Sequence, residues 1–555
     1  MEKTIQIALP AKTFPPRRAA PVSGANPQAL GTISNASSPQ TSRFSVLIQH
    51  LPNPGLTRQS TRHGSGCQRL PHRILPQPPM LRCFNRILRD LFSIDARCLA
   101  LLRIALALLL LTDLLLRSPF IVECYTDEGL LPRDFVPVPA CYMSLQMLDG
   151  SVAFQLTHFL LAGLSSLLLL VGYRTRMATI VCWILIISLH ARNEFVLDAG
   201  DDLLRSLLFW SLFLPIGARY SLDARRSRNA GRLIVLSPAT AALLLQFAAV
   251  YFTAGWFKTD PAWRDGTAIK YALGQTQWIL PAGQFLRQYP AVLQLLTPAV
   301  VWFEIIAPLF LFIPYRTRIF RLVTVPAFWA FQAGLAMTIW LHIFPLIAAT
   351  ATIPFLSSLI WPIPPDGVPE TSERRTVRGT QSRQHGSVVR NALLTTLATA
   401  MIWFQAASFG KSLLPTQERC MSLLGWNVIW SMYSNLPREK FQFVTEATLQ
   451  DNSTVDLVNS EVNTIQRLRL QQFHQSYRSR YFLQTASAAF PDLPTHYLTC
   501  LVFHWNQCHA PKRWVVRAKI AVTTEKIGEA GPAESTILLD TGFSPVPAER
   551  PDTQP

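Results

Sequence analysis

The stretch "LALLRIALALLLLTDLLLR", residues 99–117, decides the fold class of this chain. Its apolar side chains extend over about five helical turns, close to the length with which an α-helix crosses the hydrocarbon core of a bilayer. The polar residues within it are Arg103, Thr112, Asp113 and Arg117. The stretch therefore predicts a membrane-spanning helix with ionisable side chains in its interior.

Apolar runs of similar length recur along the middle of the chain and predict a bundle of about nine spans. The expected spans are 99–116, 152–172, 177–190, 203–216, 238–257, 292–313, 319–338, 340–361 and 389–409. The composition agrees, because 49% of the residues are hydrophobic and only 15% are charged, whereas soluble domains carry about a quarter charged residues. The expected fold class is mainly α, a polytopic transmembrane helix bundle over residues 88–409.

The segments between these spans separate by charge. Basic residues are concentrated in the segments 172–176, 218–232, 315–318 and 372–385, and acidic residues in the segments 122–134 and 192–202. Alternate threading of about nine spans puts every basic segment on one side, and short cytoplasmic loops are enriched in Lys and Arg. The chain is therefore expected in a cytoplasmic-type membrane, with its N-terminus inside and its C-terminal domain outside the cytoplasm.

The N-terminal region carries much of the formal net charge of +18, since residues 1–98 contain 13 Lys and Arg against 3 Asp and Glu. This excess indicates a basic cytoplasmic extension rather than a nucleic-acid-binding surface. Residues 1–85 are rich in Pro, Ser, Gln and Arg and are expected to be disordered, with Met80 as an alternative translation start.

The region after the last span changes character. "KFQFVTEATLQ" and "RWVVRAKIAVTT" alternate as strands do, whereas "VNTIQRLRLQQFHQSYRSRYF" has a helical period. Residues 410–530 are therefore expected to form a small extracytoplasmic α+β domain, followed by a disordered tail at 531–555.

Three potential metal ligands, Cys500, His504 and Cys508, are spaced four apart in this domain. On a helix they share one face, which is compatible with a metal site. The two sulfurs would, however, lie about 12 Å apart along the helix axis, which is long for ligands of one ion. A structural role is favoured, and no metal is expected.

Ionisable residues inside the expected spans are costly unless they find partners. Arg103 and Asp113 are ten residues apart in sequence, which separates them by about 80° around a helix and about 15 Å along it, so they cannot pair with each other. Each needs a partner on another helix or in water, as do His158, Arg205 and Glu304. Any one of them is explained by an ion pair that fixes helix packing, but together they indicate a polar interior.

Lys258 ends an apolar run in "YFTAGWFKTDPAWRDG", residues 251–266. One interpretation is a lysine whose stem lies along lipid and whose ammonium reaches the interface near Asp260 or Asp265. The other is a base, because desolvation lowers the pKa of a lysine amine. Composition alone favours the first interpretation.

Several motifs in order resemble a known family. They are "LFSIDARCLALLRIALALLLLTDLLLR", "CYTDEGLLPR", "LHARNEFVLDAGDDLLRSLLFWSLFLPIGARYSLDA", "LLLQFAAVYFTAGWFKTDPAWRDGTAIKYAL" and "LGWNVIWSMYSNLP". The resemblance is to the HTTM family, membrane proteins related to vitamin K-dependent γ-glutamyl carboxylase, and it extends over roughly residues 88–520.

The resemblance implies that Lys258 is the base that deprotonates a reduced vitamin K or menaquinone. The oxygenated quinone would then take a γ-proton from a glutamate, and the carbanion would attack carbon dioxide. In place of the carboxylase's Asn-His pair the chain has Asn193-Glu194, with His190 as the possible substitute for the histidine.

The resulting hypothesis assigns catalysis to Lys258, His190 and Glu194. The residues expected to bind the cofactor are Asn193, Trp256, Asp260, Trp263 and Asp265. The expected partners are membrane lipids, the quinone and an exported peptide substrate, with no nucleic acid.

Other loop residues are expected to have structural roles. Asp127, Gly129, Asp198, Gly200 and Asp201 are typical of turns and helix caps. The alternative function is a non-enzymatic membrane protein that carries quinone or lipid or assists the assembly of exported proteins. An ion-coupled transporter would need an inverted repeat, and the sequence shows none.

Overall fold

The computed structural model describes residues 79–136, 143–227, 234–275, 278–360, 391–400, 430, 432–458, 492–527 and 533–543. The helices are α1 (Pro79–Phe92), α2 (Ala96–Arg117), α3 (Ile121–Tyr125), α4 (Val152–Val171), α5 (Thr175–Arg192), α6 (Ala199–Ser211), α7 (Leu222–Arg226), α8 (Pro238–Trp256), α9 (Pro261–Arg264), α10 (Ala268–Gly274), α11 (Pro281–Leu286), α12 (Pro290–Phe310), α13 (Thr317–Thr338), α14 (Phe344–Thr350), α15 (Ser357–Ile360) and α16 (Leu493–Cys508).

Six helical segments in the described part of the chain are long and apolar enough to cross a membrane. They are Ala96–Tyr125, Val152–Val171, Thr175–Arg192, Pro238–Trp256, Pro290–Phe310 and Thr317–Thr338. The first of these joins α2 and α3 through a 3-10 turn at Ser118–Phe120. All six correspond to spans that the sequence predicts, so the mainly helical membrane fold is confirmed.

Two other predicted spans have different structures. In place of 203–216 the chain forms α6, which has 13 residues and is followed by the Pro215 and Gly217 turn. In place of 340–361 it forms α14, a 3-10 turn at Ile353–Leu356 and α15. Pro354 has no N–H to continue the helical hydrogen bonds, which accounts for the break. Of the predicted span 389–409, residues 391–400 are helical and the others lie outside the described residues.

The described basic loops, at 172–176, 218–227 and 315–318, lie at one end of the bundle, as their charge predicts. Residues 228–232 and the predicted basic loop at 372–385 lie outside the described residues. Thr175 donates hydrogen bonds from its backbone N and its Oγ1 to Asp223, at 2.6 and 2.7 Å, which joins the loop at 172–176 to α7. The short strands β1 (Ile94–Asp95) and β2 (Ile234–Val235) pair at this end, and Asp95 N donates to Ser357 Oγ at 2.6 Å. We call this the basic end.

The acidic loops lie at the other end of α2. Arg117, in the last turn of α2, bonds Asp201 at 2.6 Å, and Asn193 bonds the carbonyl of Cys124 at 2.9 Å. We call this the acidic end. The segment α6 has Asp198 at the acidic end and leads to Tyr220, whose carbonyl accepts from Arg103 near the start of α2. The segment from Asp198 to Tyr220 therefore runs from the acidic end to the basic end, although α6 has only 13 residues.

Arg103 is held by carbonyl groups and not by an acid. Its guanidinium donates to the carbonyls of Leu169 and Leu170 at the end of α4, at 2.8 and 2.9 Å, and to that of Tyr220 at 2.5 Å. The final carbonyls of a helix lack partners within the helix. A buried cation is thus placed where it satisfies them.

Gly172 ends α4 in the left-handed conformation, with φ of 69°, and a Cβ there would lie 2.3 Å from Arg103 Nη1. Gly172→Ala is expected to lower the free energy of unfolding by about 3 kcal/mol, because it combines backbone strain with displacement of a buried cation. Gly163→Ala on the same helix is the control. A Cβ at Gly163 meets nothing within 4 Å, so this change should leave stability equal or raise it. Equal melting temperatures of the two variants in detergent would contradict the prediction.

The C-terminal domain combines a sheet with a helix. The strands β3 (Glu439–Leu449), β4 (Thr454–Asp456), β5 (Val515–Lys526) and β6 (Glu534–Gly542) form an antiparallel sheet in the order β4-β3-β5-β6. Helix α16 packs beside this sheet with Tyr497, Leu501 and Trp505 buried. The predicted strands at "KFQFVTEATLQ" and "RWVVRAKIAVTT" are confirmed as β3 and β5.

Two predicted boundaries are wrong. Strand β6 lies within the predicted disordered tail, because it pairs with β5 along Arg517–Thr524. At the other end of the chain, α1 begins at Pro79, inside the expected disordered extension. The amphipathic stretch at 462–482 lies outside the described residues.

Candidate functional site

The site is built where α8 and α12 approach each other closely. Gly255, in the last turn of α8, faces α12: a Cβ there would lie 2.8 Å from Ile305 Cγ1 and 3.0 Å from Glu304 Cβ. A glycine permits this approach, since a larger residue would separate the helices. It brings Glu304, which faces inward from α12, against the end of α8.

Lys258 follows the end of α8 and is buried, with 8% of its surface exposed. Its Nζ forms an ion pair with Glu304 Oε2. The amine also donates to the carbonyls of Ala254 and Met432, at 3.3 and 3.4 Å, and lies 5.0 Å from the ring centroid of Trp263. Lys258 is therefore held inside the protein and paired with Glu304, which contradicts the interpretation of a lysine whose ammonium lies in the interface near Asp260 or Asp265.

A segment from the C-terminal region covers the amine. Residues 432–439, which we call the strap, contribute the Met432 carbonyl to Lys258 and the Tyr433 carbonyl to Trp263 Nε1, the latter at 2.8 Å. Tyr433 has a positive φ of 56°, which non-glycine residues seldom adopt. The strap thus places backbone carbonyls on two residues of the site.

Asp260 holds this strap. Its carboxylate accepts from Arg438 Nη2 at 2.6 Å and from Leu436 N at 3.3 Å, and it also caps α9 by accepting from Ala262 N at 2.9 Å. From the sequence, Asp260 was expected near the Lys258 ammonium and among the cofactor-binding residues. The carboxylate that pairs with Lys258 is instead Glu304.

The other three expected cofactor-binding residues of this segment, Trp256, Trp263 and Asp265, differ in whether they contact the Lys258 amine. Asp265 is bonded by Thr267 N and Oγ1, at 3.0 and 2.5 Å, and these bonds lower the pKa of the exposed Asp265 carboxyl. Trp256 is exposed and stacks on Phe252. Only Trp263 of these three has its ring against the Lys258 amine.

A second buried cluster surrounds Arg117 at the acidic end. The Arg117 guanidinium donates to Asp113 Oδ2 at 2.7 Å, to Asp201 Oδ1 at 2.6 Å and to the Tyr125 hydroxyl at 2.9 Å. His190 Nε2 lies 3.7 Å from Asp201 Oδ1. Asp113 was expected to find its partner on another helix or in water, but its partner is one turn away on α2. The spacing of Asp113 and Arg117 by four residues was the signal in the sequence.

The donor set of this cluster is also one that metals use. Ligand atoms of Asp113, His190 and Asp201 lie within 4.8 Å of one another, and all three residues are buried. Two carboxylates and an imidazole suit a divalent cation. The guanidinium of Arg117 already bonds both carboxylates, however, and offsets one of their two negative charges.

Asn193 and Glu194, which stand in place of the carboxylase's Asn-His pair, follow His190 of this cluster in sequence. Asn193 donates to the Cys124 carbonyl at 2.9 Å and accepts from Phe195 N at 3.2 Å, so it shapes its loop. Glu194 is half-buried and begins a 3-10 turn at Glu194–Val196. The structure thus groups Lys258 with Glu304 and Trp263, and His190 with Asp201 and Arg117.

The predicted structural residues behave as expected. Asp198 caps α6 by accepting from Gly200 N and Asp201 N, at 2.7 and 3.2 Å. Asp127 pairs with Arg133. A Cβ at Gly129 would lie 2.2 Å from the Val122 carbonyl oxygen, so the turn needs a glycine.

The remaining polar residues of the predicted spans have local partners. His158 lies 3.1 Å from the Leu185 carbonyl through Nε2, and Arg205 pairs with Asp202 one turn earlier in α6. The His158 contact joins α4 to α5, whereas the Arg205 pair lies within α6.

In α16, Cys500 contacts His496, which was not among the three potential metal ligands predicted from the sequence. Cys500 Sγ lies 3.4 Å from His496 Nε2, which is 3.2 Å from the Gly129 carbonyl oxygen. Because a carbonyl only accepts, this nitrogen carries the hydrogen and cannot take the thiol proton. His504 Nδ1 lies 2.8 Å from the Cys500 carbonyl, and the side chain of Cys508 lies outside the described residues. The contacts favour a structural role.

Comparison with protein families identifies the membrane part of the chain. The HTTM domain family matches residues 92–361. This part of the chain is an HTTM domain. The match extends from the end of α1 to the end of α15 and includes both the Lys258 and the Arg117 clusters. Comparisons with curated proteins and with solved structures found no match.

The HTTM domain and the apolar helices together establish a coarse identity. The chain is a multi-pass integral membrane protein with an HTTM domain. This confirms the resemblance to the HTTM family over residues 92–361, and the motif at 424–437 lies outside the match.

Proposed function

We propose that the protein is a membrane enzyme that carries out quinone-linked carboxylation or a related oxidation, with Lys258 as its base. The observation that carries this proposal is the buried pair of Lys258 and Glu304, which lies at the end of a span and against an aromatic ring. Such a pair is expensive to bury, and ionisable groups within membrane segments commonly mark functional sites.

The pair can hold one mobile proton. A lysine acts as a base only when it is neutral, and the ammonium proton of Lys258 can pass to the Glu304 carboxylate along their hydrogen bond. Burial raises the cost of the two separate charges, which brings the neutral pair closer in energy to the ion pair. Glu304 thereby frees the amine to accept a proton from a substrate hydroxyl.

Two features of the surroundings support a reduced quinone as the substrate. The Trp263 ring offers an aromatic surface beside the amine, and the strap carbonyls of Met432 and Tyr433 help to keep water from it. A reduced vitamin K or menaquinone would supply an acidic ring hydroxyl and the electrons for reaction with oxygen. Lys258 would remove the proton of that hydroxyl, Glu304 would position and discharge the amine, and Trp263 would hold the ring.

The orientation follows from the charges of the loops. We propose that the basic end faces the cytoplasm, and that the acidic end, the strap and the C-terminal domain lie outside, where an exported peptide is the substrate. In this arrangement α6 and the α14 to α15 segment complete the crossings, and the helix at 391–400 begins the last one.

The test is an assay of the purified protein in detergent with reduced menaquinone, labelled bicarbonate and a glutamate-containing peptide. Fixed label or quinone epoxide is expected from the unaltered protein. Lys258→Ala and Lys258→Arg are expected to reduce product formation at least 100-fold, because a general base contributes roughly that much and arginine does not release its proton.

The control is Lys270→Ala, which removes an exposed lysine from α10 and should leave turnover unchanged. Full activity of the Lys258 variants would refute the assignment of the base. Folded protein that binds menaquinone but forms neither product would instead support the non-enzymatic alternative.

A further inference from the structure

Helix α1 is amphipathic along the part that precedes the bundle. Within residues 82–92, the side chains of Phe84, Ile87, Leu88 and Leu91 fall within about 100° on one face of the helix. Arg82, Arg86 and Arg89 lie on the opposite face. A basic polar face opposite an apolar face is typical of helices that lie in a membrane surface.

The end of α1 contacts the bundle, and the apolar face of its earlier part is exposed. Arg321 Nη2 donates to the Leu91 carbonyl at 2.7 Å, and the rings of Phe92 and Phe312 lie 5.8 Å apart. Two turns earlier on the same apolar face, Phe84 is 58% exposed. The apolar face of the helix therefore continues beyond the protein core, at the height of the basic end.

Two turns at the basic end repeat one sequence and one backbone geometry. "YRTR" occurs at 173–176 and again at 315–318. In both, the first arginine has a positive φ, 43° at Arg174 and 48° at Arg316, and its guanidinium lies 5.9 or 5.4 Å from the centroid of the preceding tyrosine ring. Each turn thus presents an arginine folded over a tyrosine.

The charge of this end is strongly positive. The exposed arginines of its three loops are Arg174, Arg176, Arg225, Arg226, Arg316 and Arg318. The acid among them, Asp223, accepts from the backbone N of Arg174 at 2.9 Å and from both donors of Thr175. Its carboxylate holds the turn and offsets one of these six positive charges.

We propose that the basic end binds a leaflet of anionic phospholipid, with the apolar face of α1 in the acyl boundary and the two Tyr-Arg turns at the lipid phosphates. Guanidinium groups bind phosphate oxygens in a matched geometry. Tyrosine rings are enriched at the height of the headgroups. A basic surface next to apolar side chains is present in α1 and in the two Tyr-Arg turns with their adjoining spans. All of these lie at the basic end.

The experiment titrates the full-length protein in detergent with fluorescent phosphatidylglycerol and follows lipid anisotropy, with phosphatidylcholine of the same chains as comparison. Phosphatidylglycerol is expected to bind more tightly, and binding should weaken as salt is added. Arg174→Gln with Arg316→Gln is expected to weaken it about 25-fold, since each arginine near an anionic surface contributes about fivefold. Phe84→Ser should weaken binding several-fold with the salt dependence unchanged.

The matched control is Arg264→Gln with Arg287→Gln, which removes two exposed arginines outside the basic end. Binding by this variant should equal that of the unaltered protein. Equal loss in both double variants, or equal affinity for the two lipids, would overturn the proposal. It would also fail if inorganic phosphate at the same concentration displaced the lipid fully, because the site would then bind a free anion.

Discussion

Glu304→Gln is expected to lower the free energy of unfolding in detergent by about 3–5 kcal/mol and to remove the proposed activity. The change leaves the Lys258 ammonium buried without a counter-ion, and breaking a buried pair by removing one partner costs about this much. It also removes the group that takes the proton from the amine. Chemical denaturation and the menaquinone assay measure the two effects separately.

A double variant separates charge from catalysis. Lys258→Met combined with Glu304→Gln removes both charges and should recover most of the lost stability, because apolar replacement of a whole buried pair is often neutral. Activity should not return, since no base remains. If Glu304→Gln melts like the unaltered protein, the two groups do not depend on each other and the proposed proton transfer between them is wrong.

Arg117→Met is expected to have the largest effect on stability, a loss of about 5 kcal/mol. Asp113 and Asp201 both accept hydrogen bonds from this guanidinium and are buried with it. Its removal leaves two carboxylates close together in an apolar environment, where like charges repel. The measurement is the yield of folded protein and its midpoint of denaturation in detergent.

The control for this prediction is another ion pair at the acidic end. Arg133 pairs with Asp127, but 35% of its side chain is exposed. Arg133→Met should therefore cost less than about 1 kcal/mol, because exposed pairs contribute little. Similar losses of unfolding free energy for Arg117→Met and Arg133→Met would show that burial does not determine how much the Arg117 cluster stabilises the protein. Arg117→Met with Asp113→Asn should be more stable than Arg117→Met alone.

The long spans could be predicted from the sequence because a bilayer demands a continuous apolar length. The predicted 152–172 is the helix Val152–Val171, and the predicted 319–338 lies within Thr317–Thr338. The segments 203–216 and 340–361 are as apolar as the long spans, but prolines and turns interrupt their helices. A proline removes a backbone hydrogen bond of the helix without lowering the average hydrophobicity of the segment, so hydrophobicity alone does not predict the interruption.

The site could be predicted only in part. Lys258 stands out because it follows an apolar run, and Glu304 because it lies within one, but they are 46 residues apart and their pairing depends on the missing side chain of Gly255. The bond from Arg438 to Asp260 joins residues 178 positions apart. Such contacts depend on tertiary packing, so local spacing does not reveal them. The Asp113 and Arg117 pair is local and could have been found.

The strap has a consequence for how the protein matures. The carbonyl of Met432 that contacts the Lys258 amine belongs to a part of the chain translated well after every helix of the HTTM domain. While the ribosome is still making residues 362–431, the spans can already enter the bilayer, but the amine lacks this cover. Each newly made molecule therefore completes the cover of Lys258 only after its HTTM domain, and a nascent chain that ends before residue 432 lacks the Met432 contact.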